Sequence, residues 1–237
     1  MNLIDSPSFP SGHTTYGYMG SLLIAVLVPE RYQEMVTRGA EYGNDRIVLG
    51  SHYAMDVLGG RTVAIYDLAH LLANDPAYMN RPLRNYAMIT ATSAPEVPVA
   101  ISDFRAAVAG AQADLTKALE AACGDTVQAC ARQDTGRFNA PAMNEAFYAS
   151  TQTYGLPVVH PEIADKVEDV GALAPDAGYL LTVAFPRLSL EEANRILTET
   201  EGPGGGFLDD GSAFGVYSRL NLYAAAGRAA ALSRAKP

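Results

Sequence analysis

The chain has 237 residues, 49% of them hydrophobic and 18% charged, which is enough apolar material for one good-sized core or two small ones and too much for a disordered chain. A formal net charge of −9 argues against a general nucleic-acid binder, which needs a basic face, although a local cluster of positive groups could still hold an anionic ligand. Neither apolar stretch reads as a membrane span: residues 19–28 are about half the roughly 20 residues a bilayer needs, and residues 54–73 contain Asp56, Arg61, Asp67 and His70.

In chain order, residues 1–13 lack the basic and apolar regions of a signal peptide. Ser11-Gly12-His13 leads into an apolar helix expected over 14–28. Pro29 stops it and can serve as the first-turn proline of a helix running to about Glu41, with Gly43-Asn44 read as a turn. A further helix is expected over 51–73, closed by Asn74-Asp75-Pro76. Residues 80–100, rich in Pro, Ser and Thr, read as a connector. Residues 104–122 are alanine-rich with helical spacing, 124–140 read as a loop, and 141–153 as a short helix. The stretch 155–178 shows little periodicity.

Ser189-Leu190-Glu191-Glu192 has the form of a capping box opening a helix that Gly202-Pro203-Gly204 terminates. Asp209 and Asp210 read as a solvated turn rather than a calcium loop, and residues 219–231 as a closing helix. His70 reads as a packing residue and His160 as a loop residue. Cys123 and Cys130 would lie about 10 Å apart on one continuous helix, too far for a disulfide, but a break at Gly124 would let them meet. Both a bonded pair and two free thiols remain open. With no repeat and no strand series, the fold class is mainly α.

Two short stretches carry chemistry. In Phe9-Pro10-Ser11-Gly12-His13-Thr14-Thr15, a tight turn opens a helix, so free backbone N–H groups and the positive helix end face whatever sits there. A histidine at that point can give a proton to a leaving oxygen. In the second stretch, from Arg46 to Asp56, His52 and Asp56 are four apart and share a helix face. A carboxylate on one imidazole nitrogen fixes the tautomer and leaves the other as a directed nucleophile, while Arg46 offers a fork of donors for phosphate oxygens. Taken singly, each stretch is more often an ordinary helix start or a structural pair.

Together, Pro-Ser-Gly-His followed by Arg46, five residues, His52, three residues and Asp56 resembles the phosphatidic acid phosphatase type 2 / vanadium haloperoxidase superfamily. Residues 8–78 look most like class A bacterial nonspecific acid phosphatases, with similar text also at Thr14-Thr15-Tyr16-Gly17, 38–43 and 73–78. The resemblance implies a helical bundle of the acid phosphatase/haloperoxidase type. Residues 1–80 would form the C-terminal part of its catalytic core, and 81–237 a mainly helical and loop extension of unknown role. It implies a hydrolase of phosphate monoesters in which His52 attacks phosphorus and Asp56 orients it. His13 serves the leaving group and then the water, and Arg46, the Ser11 hydroxyl and the Gly12 amide hold the phosphate oxygens. No metal or other cofactor is implied for a phosphatase, and vanadate on His52 for the alternative, a vanadium-dependent haloperoxidase.

The implied partner is a small-molecule phosphate ester, with no nucleic acid and no membrane span; a homo-oligomer stays open. The parent protein would be periplasmic or secreted. Two departures stand out. Asp45 occupies the place where the family has a serine. The family's first motif, Lys-x6-Arg-Pro, is absent: the lysines are Lys117, Lys166 and Lys236, and the sole Arg-Pro pair, Arg81-Pro82, has Asn74 where the lysine belongs. The expectation is therefore an N-terminally truncated chain with impaired activity. The non-enzymatic alternative is a helical anion-binding fragment.

Overall fold

The computed structural model describes residues 7–79 and 101–236. Among them there is no strand, and ten α-helices follow in order: α1 Gly12–Leu27, α2 Tyr32–Val48, α3 Ala54–Leu72, α4 Phe104–Cys123, α5 Val127–Gln133, α6 Pro141–Ser150, α7 Val170–Leu173, α8 Tyr179–Thr182, α9 Leu190–Glu199 and α10 Leu222–Ala235. The mainly α reading holds. The connector read over 80–100, with Arg81-Pro82, lies outside the described residues.

α1 begins two residues earlier than expected because Ser11 is its cap, its Oγ accepting from Thr14 N at 3.1 Å. After a 3-10 turn at Pro29–Arg31, α2 runs straight through Gly43-Asn44. That glycine marks a helix crossing and not a turn. A Cβ on Gly43 would lie 2.9 Å from Val57 Cγ1 and 3.3 Å from Thr14 Cγ2. α3 starts at Ala54, later than expected, because the Ser51 and His52 amides are taken by the Arg46 carbonyl at 3.0 and 3.2 Å.

α4 stops at Cys123, where Gly124 adopts a left-handed φ of 78°. The chain turns there, and Cys123 and Cys130 are bonded, their Cα atoms 6.5 Å apart. α5, capped by Thr126, falls inside the expected loop; seven residues are too few to show a helical period. The capping box of α9 is present with both of its bonds. α10 begins three residues later than expected because Gly215–Arg219 forms a 3-10 turn and Asn221 is the cap.

One apolar core runs through both parts of the chain. Tyr18, Leu22 and Leu68 from the first part share it with Leu180, Leu197 and Ala226 from the second. α3 passes through its middle, which is why it reads as apolar, yet no helix among the described residues is long and apolar enough to cross a membrane. Buried Arg61 ties α3 to the later segments by donating to the carbonyls of Thr151, Gln152 and Ser218 at 3.0, 3.2 and 2.8 Å. His70 packs as expected, its ring 4.3 Å from Tyr66 and stacked on Tyr78, with Nδ1 3.1 Å from Asp75.

Asp209 departs from its reading as a solvated residue, while its neighbour Asp210 is exposed. Asp209 is 1% exposed and joins Glu168 and Glu201 around the buried Arg219 guanidinium, at 3.7, 3.3 and 2.8 Å respectively. The Gly205 amide donates to Asp209 and the Glu168 amide to Glu201, so the glycine-rich segment folds over the cluster. A composition rich in Gly and Asp looks like a surface turn; only the distant Arg219 makes burial of the carboxylate tolerable.

Candidate active site

The site forms where the starts of α1 and α3 meet. The Ser11 amide donates to the Asp56 carbonyl at 2.9 Å, fixing the first turn of one helix on the first turn of the other. Two adjacent glycines in α3 make the contact close enough. A Cβ on Gly60 would stand 2.6 Å from the Ser11 carbonyl oxygen, and one on Gly59 would stand 2.5 Å from the Phe9 ring. Since the Gly60 clash is with backbone, Gly60→Ala is expected to push the two helix starts apart. The expected cost is about 1–3 kcal/mol of stability, measured by urea unfolding, together with weaker oxyanion binding. Unchanged stability would show that the two segments are not locked together.

His13 stands exposed at the start of α1, and His52 lies largely covered in the turn before α3, its side chain 11% exposed. Their rings are 5.8 Å apart between centroids at 60°. That is within joint reach of one tetrahedral oxyanion. His52 Nδ1 lies 3.3 Å from Asp56 Oδ2. With Nδ1 facing the carboxylate, Nε2 is the nitrogen left for a ligand.

Asp56 is buried at 5% exposure. Burial by itself would push its carboxyl up. Hydrogen bonds from Ser8, the Tyr53 amide and His52 outweigh that and hold it below the usual carboxylate range.

The Thr14 and Thr15 amides are taken by Ser11 Oγ and the Ser11 carbonyl. The Gly12 and His13 amides have no acceptor among the described residues, so they are the free donors of this helix start. Ser11 itself is fully buried and acts as the cap, while Gly12 is exposed. Arg46 sits at the end of α2 with its guanidinium 5.1 Å from the centre of the Tyr42 ring, and its Nε is buried without an acceptor among the described residues.

The antiparallel register of α1 and α2 runs the end of α2, which carries Arg46, toward the start of α1. Tyr18 and Ser21 face Gly39, Gly17 faces Tyr42, and Thr14 faces Gly43. One turn further along, Arg46 lies opposite the start of α1. Asp45, the departure from the family pattern, is exposed and makes no ion pair with Arg46 among the described residues.

Residues 2–75 match the family model described as PAP2 superfamily. Over 64 residues the chain is 44% identical to the non-specific acid phosphatase of Salmonella typhimurium, covering 27% of this chain and 26% of that protein. It is 41% identical over 64 residues to the acid phosphatase of Zymomonas mobilis, covering 27% of this chain and 24% of the relative. To the non-specific acid phosphatase of Providencia stuartii it is 37% identical over 67 residues, 28% of this chain and 27% of that protein. Residues 2–75 are thus similar to the PAP2 superfamily.

The chain spans about a quarter of the length of the curated relatives it matches. No solved structure matches significantly.

Every site residue named from the sequence lies within the segment that matches this family model. His13, His52 and Asp56 come together with the Ser11-Gly12 turn, and Arg46 is joined to His52 through its backbone carbonyl. Sequence reasoning missed Ser8, whose Oγ donates to Asp56 Oδ2 at 2.5 Å, and the glycines that seat Phe9 and Tyr42. Gly59-Gly60 inside an apolar helix was the available signal, since glycine there carries a helix penalty that needs a packing reason.

Proposed function

We propose that this chain carries part of the active site of a phosphate monoester hydrolase working through a phosphohistidine. The observation that supports it most is the His13–His52 approach at 5.8 Å, with Asp56 on the far side of His52. Nε2 of His52 attacks phosphorus as the bond to the ester oxygen breaks, and His13 gives that oxygen its proton. Water then attacks the phosphohistidine. His13 takes a proton from it, the N–P bond breaks, and inorganic phosphate leaves.

The Gly12 and His13 amides and the Arg46 guanidinium bind the equatorial oxygens, and buried Ser11 holds those amides in place. The names of the relatives favour a phosphomonoester over haloperoxidase chemistry. Lys-x6-Arg-Pro does not occur in these 237 residues, and each such cationic ligand is expected to contribute on the order of 2–4 kcal/mol of transition-state stabilisation when present. The bonded cysteine pair suits an oxidising compartment such as the periplasm.

Calorimetry with orthovanadate, a mimic of the pentacoordinate phosphorus, tests the site directly. Wild type is expected to bind weakly and Arg46→Ala about tenfold or more weakly still. Equal binding by both proteins, or none by either, would remove the site.

A further inference from the structure

Asp56 Oδ2 accepts three hydrogen bonds at once, from Ser8 Oγ at 2.5 Å, from the Tyr53 amide at 2.9 Å and from His52 Nδ1 at 3.3 Å. We propose that Ser8 is a positioning residue of this site, which sets through Asp56 how strongly His52 is held and charged. The inference rests on His52 being the nucleophile.

Two of the three donors are local. Tyr53 and His52 belong to the turn that Asp56 itself caps, and they would meet its carboxylate whatever packed nearby. Ser8 arrives from 48 residues earlier, on the segment that leads into His13. Its place is fixed from several sides. The Phe9 ring lies on Gly59 and against Phe207 at 6.1 Å, and the Ser11 amide holds the Asp56 carbonyl. Ser8 and Ser11 therefore grip Asp56 by its side chain and its backbone together. One segment thus positions both the His13 ring and the anchor of the His52 ring.

The effect on His52 follows from charge. A hydroxyl donating to Oδ2 draws density from the oxygen that faces Nδ1, which weakens the pull of Asp56 on the Nδ1 proton. The same bond opposes burial and helps keep Asp56 ionised. Without Ser8, the carboxylate holds protonated His52 more tightly and itself takes up a proton more readily. Both changes disfavour neutral, anchored His52 at acid pH.

The test is a 15N imidazole titration of His52 in the whole chain, comparing wild type with Ser8→Ala, Ser8→Thr and Asp56→Asn. Ser8→Ala is expected to raise the His52 midpoint by about 0.5–1 pH unit. Ser8→Thr should restore the wild-type midpoint, and Asp56→Asn should lower it. With nitrophenyl phosphate, the acid limb of kcat/KM should move up by the same amount in Ser8→Ala, with kcat lowered about tenfold and KM little changed.

If Ser8→Ala titrates like wild type while Asp56→Asn shifts, the role of Ser8 is wrong and the catalytic reading stands. If Asp56→Asn also leaves His52 unmoved, the pair itself is not coupled and both fall. Should Ser8→Ala fail to fold, Ser8→Cys, a weaker donor, must give a smaller upward shift, and no shift overturns the proposal.

Discussion

In a version of the chain joined to a segment carrying Lys-x6-Arg-Pro, His52→Ala is expected to abolish phosphoenzyme formation and to lower kcat by on the order of 10⁴-fold or more. His13→Ala should behave differently. It should still form phosphoenzyme from an ester with a good leaving group, such as nitrophenyl phosphate, because that oxygen needs no proton. Hydrolysis of the intermediate should then be slow, since the proposed role of His13 includes activating water. Rapid acid quench followed by mass spectrometry would locate the phosphate. Label on any residue but His52, or equal trapping in both variants, would sink the assignment of roles. The proposed roles need His52 neutral and His13 protonated, so they predict activity that follows a bell against pH. The bonds to Asp56 hold its carboxyl below the ordinary range, which favours its charged form beside His52.

The second large effect concerns the fold. Arg219→Met removes the cation that, among the described residues, pairs with the covered carboxylates of Glu168, Glu201 and Asp209. The expected loss is about 3–5 kcal/mol near neutral pH, enough to unfold many domains of this size. It should be smaller at pH 4.5, where the carboxyls can be protonated.

The wild type should show the same sense of pH dependence. Burial pushes Glu201 up to about 7, and burial together with the Asp209 carboxylate pushes Glu168 up. The folded state therefore binds more protons than the unfolded state between about pH 4.5 and 7. The contribution is full below the unfolded value and is lost as pH rises through the folded one, so stability should fall across that window by on the order of 2 kcal/mol. Glu192, held down to about 2 by Lys236 and the Ser189 amide, acts in the opposite sense but below this range. Urea unfolding followed by circular dichroism at pH 4.5, 6 and 7.5 measures the slope. A flat or rising profile from 4.5 to 7.5 would overturn the account of the cluster.

Much of the site was legible because its parts are local. Ser11-Gly12-His13 is a cap, a free amide and a ring within one turn, and His52 meets Asp56 within the short turn that Asp56 caps at the start of α3, not on the helix itself as expected. The capping box of α9 was legible for the same reason. Reading failed where a distant partner decides. Gly43 passed for a turn because nothing in its own neighbourhood reports Val57 and Thr14 against it. The cysteine pair could not be settled from spacing, because the outcome hangs on whether Gly124 takes a left-handed φ.

The sequence by itself determined the helical class, the helix starts at which the candidate groups sit, and the short-range pairing of His52 with Asp56. Those follow from apolar period, capping chemistry and short-range spacing, which act within a few residues. Only the tertiary structure decided that His13 stands 5.8 Å from His52, that Ser8 reaches Asp56, and that Asp209 is buried against Arg219. These contacts join residues far apart in the chain. They exist because paired glycines let α1 settle on α3 and because a buried guanidinium compensates carboxylates that a linear reading leaves in water.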